Sequence, residues 1–196
     1  MASRARDPHA ILKERLRAAL RGRRRTLAGE APHAADEAAA LLPLARLPPF
    51  QVVAGYHPLG AELDPRPLMA RFAEAGATLA LPVALDRTTP LVFRTLTGFL
   101  EPDALAIPAP PGHAPEVAPD IVIAPVLAFD AEGRRLGQGA GHYDRTLANL
   151  RAVRSVFVLG LAYAGQEVER VPAEPHDQRL DAILTEMGYR DVRKDI

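Results

Sequence analysis

The sequence predicts an α/β fold with a mostly parallel sheet, held in one domain. Three observations carry this reading. Helical stretches alternate with short apolar runs, the pattern of strands buried between helices. Two helix starts are written as aspartate then proline, at Asp7-Pro8 and Asp64-Pro65, a cap followed by the residue best tolerated in a first turn. No repeat or linker interrupts the 196 residues, a length that suits one sizeable core better than two.

The elements follow in order. Leu12, Leu16, Leu20 and Leu27 recur at near-helical spacing, so a first helix is expected from Pro8 to about Leu27, with residues 1–10 as a flexible lead-in. Lys13, Arg17 and Arg21 lie four apart and share a stripe beside the apolar one. An Ala-rich helix is expected from about Pro32 to Leu44. Gln51–Tyr56 is apolar and Val-rich and reads as a buried strand. The helix begun at Asp64-Pro65 closes at Gly76. Thr78–Val83 reads as a strand ended by Pro82, and the alternating Leu91–Leu96 as a strand on the sheet edge. Residues 97–119 are rich in Pro and Gly and are expected to form a long ordered loop. Asp120–Ala124 is a strand, with Val126–Phe129 continuing its direction after Pro125. The glycine-rich turn at 137–141 opens a helix to about Arg151. Ser155–Ala162 is a strongly apolar strand, and Asp181–Thr185 a last short one.

Composition narrows the function classes. Hydrophobic residues at 48% and charged residues at 24% describe a globular chain and exclude a disordered or collagen-like one. There is no cysteine, which excludes disulfide scaffolds, thiolate nucleophiles and Cys-ligated metals. No apolar run reaches membrane-spanning length, and the basic N-terminus is not followed by the apolar segment of a signal peptide. The expected location is the cytoplasm. Net charge is zero, which argues against a whole-surface nucleic-acid or membrane binder. The basic residues nevertheless concentrate in the first 25 positions. A nucleic-acid role for that segment is disfavoured, because the first 49 residues contain no aromatic side chain to stack on bases.

The most informative segment is Gly137-Gln138-Gly139-Ala140-Gly141-His142-Tyr143-Asp144. Alternate glycines let the backbone take positive φ and leave N–H groups unhindered, and the helix that follows adds the positive end of its dipole. Phosphate is the natural guest of such a nest. The spacing is neither the dinucleotide fingerprint nor a Walker loop. A plain tight turn is the alternative. Arg134, Arg135 and Arg145 flank the turn, and a guanidinium suits phosphate oxygens. Asp144 beside a phosphate site suggests Mg²⁺, with simple helix capping as the alternative. Asp177, with His176 and Asp181 before the last strand, offers a second metal ligand or merely a turn. No His pair has metal spacing, so zinc is not expected. Lys13 and Arg17, one turn apart, can point together at a phosphate. His57 and Glu62 follow a strand, where α/β ligands bind; Glu62 there can accept from ring N–H groups.

Together these residues resemble the 5-formyltetrahydrofolate cyclo-ligase family, also called 5,10-methenyltetrahydrofolate synthetase. The strongest match runs through Ala128-Phe129-Asp130 and Gly133, then Arg135-Leu136-Gly137-x-Gly139-x-Gly141-x-Tyr143-Asp144-Arg145. Weaker matches are Lys13-x-x-Leu16-Arg17, Glu62, Leu81-Pro82, and Pro175-His176-Asp177 with Asp181. The likeness spans Lys13 to Thr185 in family order. It implies one three-layer α/β/α domain over residues 1–196. It implies an ATP site made of Lys13, Arg17, Arg135, Leu136, Gly137, Gln138, Gly139, Ala140, Gly141, His142, Tyr143 and Arg145, with Arg135 and Tyr143 catalytic. It implies a folate site made of His57, Glu62 and Gln138–His142, and Mg²⁺ on Asp144 and Asp177. The expected partners are 5-formyltetrahydrofolate and ATP, and the expected state is a monomer. Two positions depart from the family loop. Ala140 carries a Cβ that a positive φ would strain, and His142 replaces an aromatic. These departures leave room for a non-catalytic folate- or nucleotide-binding protein, or for an ATP-dependent enzyme of another small amide.

Overall fold

The computed structural model describes residues 8–192. Asp7 and most of the expected flexible lead-in lie outside the described residues; residues 8–10 belong to the first helix. Helix α1 spans Pro8–Glu30, one turn longer than expected. Helix α2 covers only Ala34–Leu41. It stops early because Pro43 cannot continue a helix and pushes the preceding Leu42 to extended backbone (φ −68°, ψ 118°); Leu44–Arg46 form a 3₁₀ turn instead.

Strand β1 (Val52–Ala54) leads to α3 (Arg66–Glu74), β2 (Thr78–Val83) and β3 (Val92–Thr95). Pro82 does not end β2: it stays in register, opposite Phe93 of the antiparallel edge strand β3. The stretch 97–119 holds a small ribbon, β4 (Glu101–Pro102) with β5 (Pro108–Ala109), inside the expected loop. Asp103 pins it: its carboxylate accepts from the N–H groups of Ala84, Leu105 and Ile107. Strand β6 (Ile121–Pro125) follows.

The chain does not continue in the direction of β6 after Pro125. It folds into a separate hairpin, β7 (Ala128–Phe129) against β8 (Arg135–Leu136). The turn between them is wound around the buried Asp130 carboxylate, which accepts from the N–H groups of Glu132, Arg134 and Val171. Helix α4 (His142–Val153), β9 (Phe157–Leu161) and β10 (Ala182–Thr185) come next. β10 is not the last strand. β11 (Gly188–Asp191) turns back antiparallel on it. Its sequence, Gly-Tyr-Arg-Asp, has no apolar run because an edge strand need not be buried on both faces.

The strands form one sheet in the order β11-β10-β9-β6-β1-β2-β3, parallel except at the two edges. Side chains alternate along a strand, so β6 sends Ile121 and Ile123 to one face and Val122 and Ala124 to the other. The first face packs on α2 and α3 through Ala34, Ala38, Leu68 and Phe72. The second packs on α4 through Leu147 and Leu150. This is the expected three-layer α/β/α arrangement. Helix α1 packs by Leu20 on Leu127, Ala128 and Leu136 of the hairpin region and on Val171. The chain order reverses at β1, with β2 on one side and β6 on the other. Crevices at the carboxyl end of such a switch point are where α/β domains bind ligands.

Candidate active site

A crevice of about 610 Å³ opens at that switch point. Its walls come from the loop after β1, the ends of β2 and β6, the hairpin, the glycine turn, and α1 lying across the top. Most residues anticipated for the site border this one crevice, from Lys13 and Arg17 through His57, Glu62 and 135–145 to Asp177, whereas Arg134 turns away to pair with Asp130 and Glu132. Asp181 does not border it: it accepts from the Val158 N–H and pairs with Arg151, fixing strand ends.

The glycine turn is shaped by two left-handed residues, Gly139 (φ +109°) and Gly141 (φ +68°). Gly141 is the N-cap of α4, so the dipole of a 12-residue helix points at the crevice. Ala140 does not take a positive φ; among the described residues outside glycine only Ala106 does. The strain expected from its Cβ is therefore absent, because the two flanking glycines make the bend. Arg17 reaches the turn and donates from Nε to the Gly137 carbonyl at 3.0 Å. Arg145 donates to the Ala140 carbonyl at 3.0 Å and lies 3.3 Å from His142 Nδ1.

Arg135 stands in the wall with its side chain 4% exposed. Its Nη2 donates to Asp144 Oδ1 at 2.7 Å, an oxygen that also accepts the Gln178 N–H at 2.9 Å. Burial pulls the Arg135 pKa down, Asp144 opposes it, and a guanidinium stays charged regardless. Burial, then the negative field of Glu62, pushes the Tyr143 phenol upward, so it stays protonated and can act as a donor.

Lys13 donates to Asp177 Oδ2 at 2.9 Å and lies 3.0 Å from Glu174 Oε1. Burial works against its charge, but the hydrogen bonds to these carboxylates outweigh it and hold its pKa above the ordinary value. Asp177 is likewise desolvated, yet the Lys13 bond holds it below the usual carboxylate range. Glu174 was not anticipated, nor were the apolar Leu91, Leu105 and Ile107 that also line the crevice. The signal for Leu105 and Ile107 was the length of the 97–119 stretch, since long ordered loops in compact domains are usually functional.

An α/β domain with a crevice lined by Lys13, Arg17, Arg135 and Arg145 at its switch point has the build of a ligand-binding domain. Comparison with known proteins makes this particular. The profile of the 5-formyltetrahydrofolate cyclo-ligase family matches residues 10–186. The 5-formyltetrahydrofolate cyclo-ligase of Escherichia coli (strain K12) is 34% identical over 176 residues, covering 85% of this chain and 96% of the relative. That of Mycolicibacterium smegmatis is 33% identical over 144 residues, 69% of this chain and 73% of the relative. The solved structure of Aquifex aeolicus 5,10-methenyltetrahydrofolate synthetase superposes with a TM-score of 0.76 at 28% identity, covering 94% and 95% of the two chains. A Mycoplasma pneumoniae synthetase at 22% identity and TM-score 0.70 shares the fold. The chain belongs to the 5-formyltetrahydrofolate cyclo-ligase family, and the activity it carries is that of a ligase. Among the described residues no helix is long and apolar enough to cross a membrane.

Proposed function

We propose that this chain converts 5-formyltetrahydrofolate to 5,10-methenyltetrahydrofolate, using ATP and Mg²⁺ and releasing ADP and phosphate. One observation supports it above the others. The glycine nest and four cations, Lys13, Arg17, Arg135 and Arg145, share a single crevice with the His57–Glu62 loop, so a nucleotide phosphate and a second, ring-bearing substrate can meet there.

A formamide carbon is a poor electrophile and its oxygen a poor leaving group. In the proposed reaction the formyl oxygen attacks the γ-phosphorus of ATP and ADP departs. Nitrogen-10 then adds to the activated carbon and loses its proton, and phosphate leaves with the carbon–oxygen electrons. The chain's work in this scheme is placement and charge. The N–H groups of the turn and α4, with Arg17 and Arg135, face the transferring phosphate. Lys13 exchanges a carboxylate partner for a phosphate oxygen. Glu62 and His57 hold the pterin end, and Gln138–His142 lie between the two substrates. Tyr143 donates from its phenol.

The residues also fit Mg²⁺. Among the described residues no group of three or more His, Asp or Glu side chains is close enough to cage a metal. Mg²⁺ does not require such a cage: it takes one or two carboxylates and fills its shell with phosphate oxygens and water. Asp144, whose hydrogen bonds use Oδ1, and Asp177 would hold it, and it would supply charge neutralisation at the phosphates. Asp144→Asn is expected to raise the Mg²⁺ concentration for half-maximal activity by roughly tenfold or more, the loss typical even of an outer-shell partner. A Mg²⁺ titration identical to wild type would leave Asp144 as the partner of Arg135 only.

The deciding assay follows absorbance of the methenyl product during incubation with 5-formyltetrahydrofolate, ATP and Mg²⁺. A rise that needs both ATP and Mg²⁺ is expected. A folded chain that gives none overturns the proposal in favour of a binding protein or another amide substrate. Ala140, which favoured those alternatives from sequence, does not favour them in the structure, since it is unstrained.

A further inference from the structure

The arginine cluster at 21–25 is not uniform. Arg21, Arg23 and Arg25 are exposed, whereas Arg24 is 6% exposed. Burying a guanidinium is costly unless it is paired. Its Nη1 donates to Glu62 Oε1 at 3.3 Å, and both side chains of that pair are more than nine-tenths buried. Glu62 Oε1 also accepts from Gln138 Nε2 at 3.5 Å, and Oε2 accepts the Leu59 N–H at 3.0 Å. Gln138 in turn accepts at Oε1 from Arg21 Nε at 3.1 Å. Helix α1, the loop after β1 and the glycine turn are thereby tied into one ring of hydrogen bonds.

The lone pairs of Glu62 make the ring directional. A carboxylate has about four acceptor sites. Arg24 and Gln138 occupy those on Oε1, and Leu59 takes one on Oε2. What remains is an acceptor site on Oε2, and Glu62 borders the crevice.

We propose that Arg24 is a positioning residue. It does not border the crevice. It holds the Glu62 carboxylate in the one orientation that leaves an Oε2 acceptor for a ligand ring N–H. The inference rests on the proposed placement of the folate at Glu62. Arginine suits the task better than lysine, because its planar fork is pre-organised and loses less freedom per hydrogen bond.

The test is calorimetric binding of 5-formyltetrahydrofolate, and separately of ATP, to the full chain and its variants, with melting temperature recorded beside it. Arg24→Met is expected to weaken folate binding by roughly tenfold or more, the range commanded by a charged hydrogen bond, and to leave ATP affinity unchanged. In a Glu62→Gln background the same substitution is expected to cost nothing further in folate affinity, which a packing role would not produce. Arg24→Lys is expected to fall between wild type and Arg24→Met. Arg23→Ala, on the exposed face, is expected to match wild type. A folded Arg24→Met with wild-type folate affinity overturns the proposal, as does an equal loss toward both ligands. Should Arg24→Met fail to fold, Arg24→Lys decides: undiminished folate binding overturns it. A wild-type chain that binds no folate overturns the proposed function and this inference together, whereas wild-type binding that is indifferent to Arg24 overturns this inference alone.

Discussion

Arg135→Ala is expected to lower kcat by roughly 10²-fold or more, equivalent to about 2.7–4 kcal/mol of lost transition-state stabilisation. The reason lies in what the guanidinium does and does not spend. One nitrogen is committed to Asp144 at 2.7 Å. Nε is buried and has no partner among the described residues. Buried polar groups in native proteins are nearly always satisfied, and an exception at a crevice wall is where a missing ligand is to be sought. A charge fixed in a water-poor wall also acts on developing phosphate charge more strongly than one in solvent. The check is steady-state kinetics at saturating ATP and folate, with Arg135→Lys as a second variant that keeps the charge and loses the fork. The lysine variant is expected to recover part of the rate. A near-normal kcat for Arg135→Ala would reduce Arg135 to a partner of Asp144.

Gly139→Val is expected to abolish measurable ATP binding. The position has φ +109°, which a β-branched residue resists. A Cβ there would stand 3.3 Å from Arg17 Cζ, so even a methyl asks the guanidinium to give by a few tenths of an ångström, and the two γ-methyls of valine crowd it further. Backbone strain and a crowded nest therefore act together. Calorimetry with ATP reads the outcome, and the melting temperature separates local loss from unfolding. Retained ATP affinity in the folded variant would mean that the turn is only a connection between β8 and α4.

Much of this was legible in the chain. β2, β6 and β9 could be located because they are apolar runs and α3 because Pro65 marks its start, although Pro65 rather than Asp64 takes the N-cap position, and these are local signals. The glycine turn was legible because alternate glycines before a helix have one main backbone use. What was missed follows a pattern. β11 is polar and exists only because β10 presents an edge to it. The β7–β8 hairpin was misread as an extension of β6 because two-residue strands, Ala128–Phe129 and Arg135–Leu136, are too short to carry a record of their pairing. The effect of Ala140 was misjudged because spacing does not say which residues of a glycine turn take the left-handed region.

Sequence by itself therefore determined the order of the main helices and parallel strands and most of the polar residues that border the crevice, but not β11, the β4–β5 and β7–β8 hairpins, or Glu174 and the apolar Leu91, Leu105 and Ile107. Tertiary structure alone decided the partners within that set. Lys13 and Asp177 are 164 positions apart, Arg24 and Glu62 are 38 apart, and Arg135 meets Asp144 across the turn. Backbone periodicity acts over a few residues, whereas these charges meet because α1 packs Leu20 onto the hairpin region, swinging one face of the helix over the switch point. Which arginine of the 21–25 cluster is buried and which are solvated depends on that docking angle, a property of the packed molecule that the order of residues does not record.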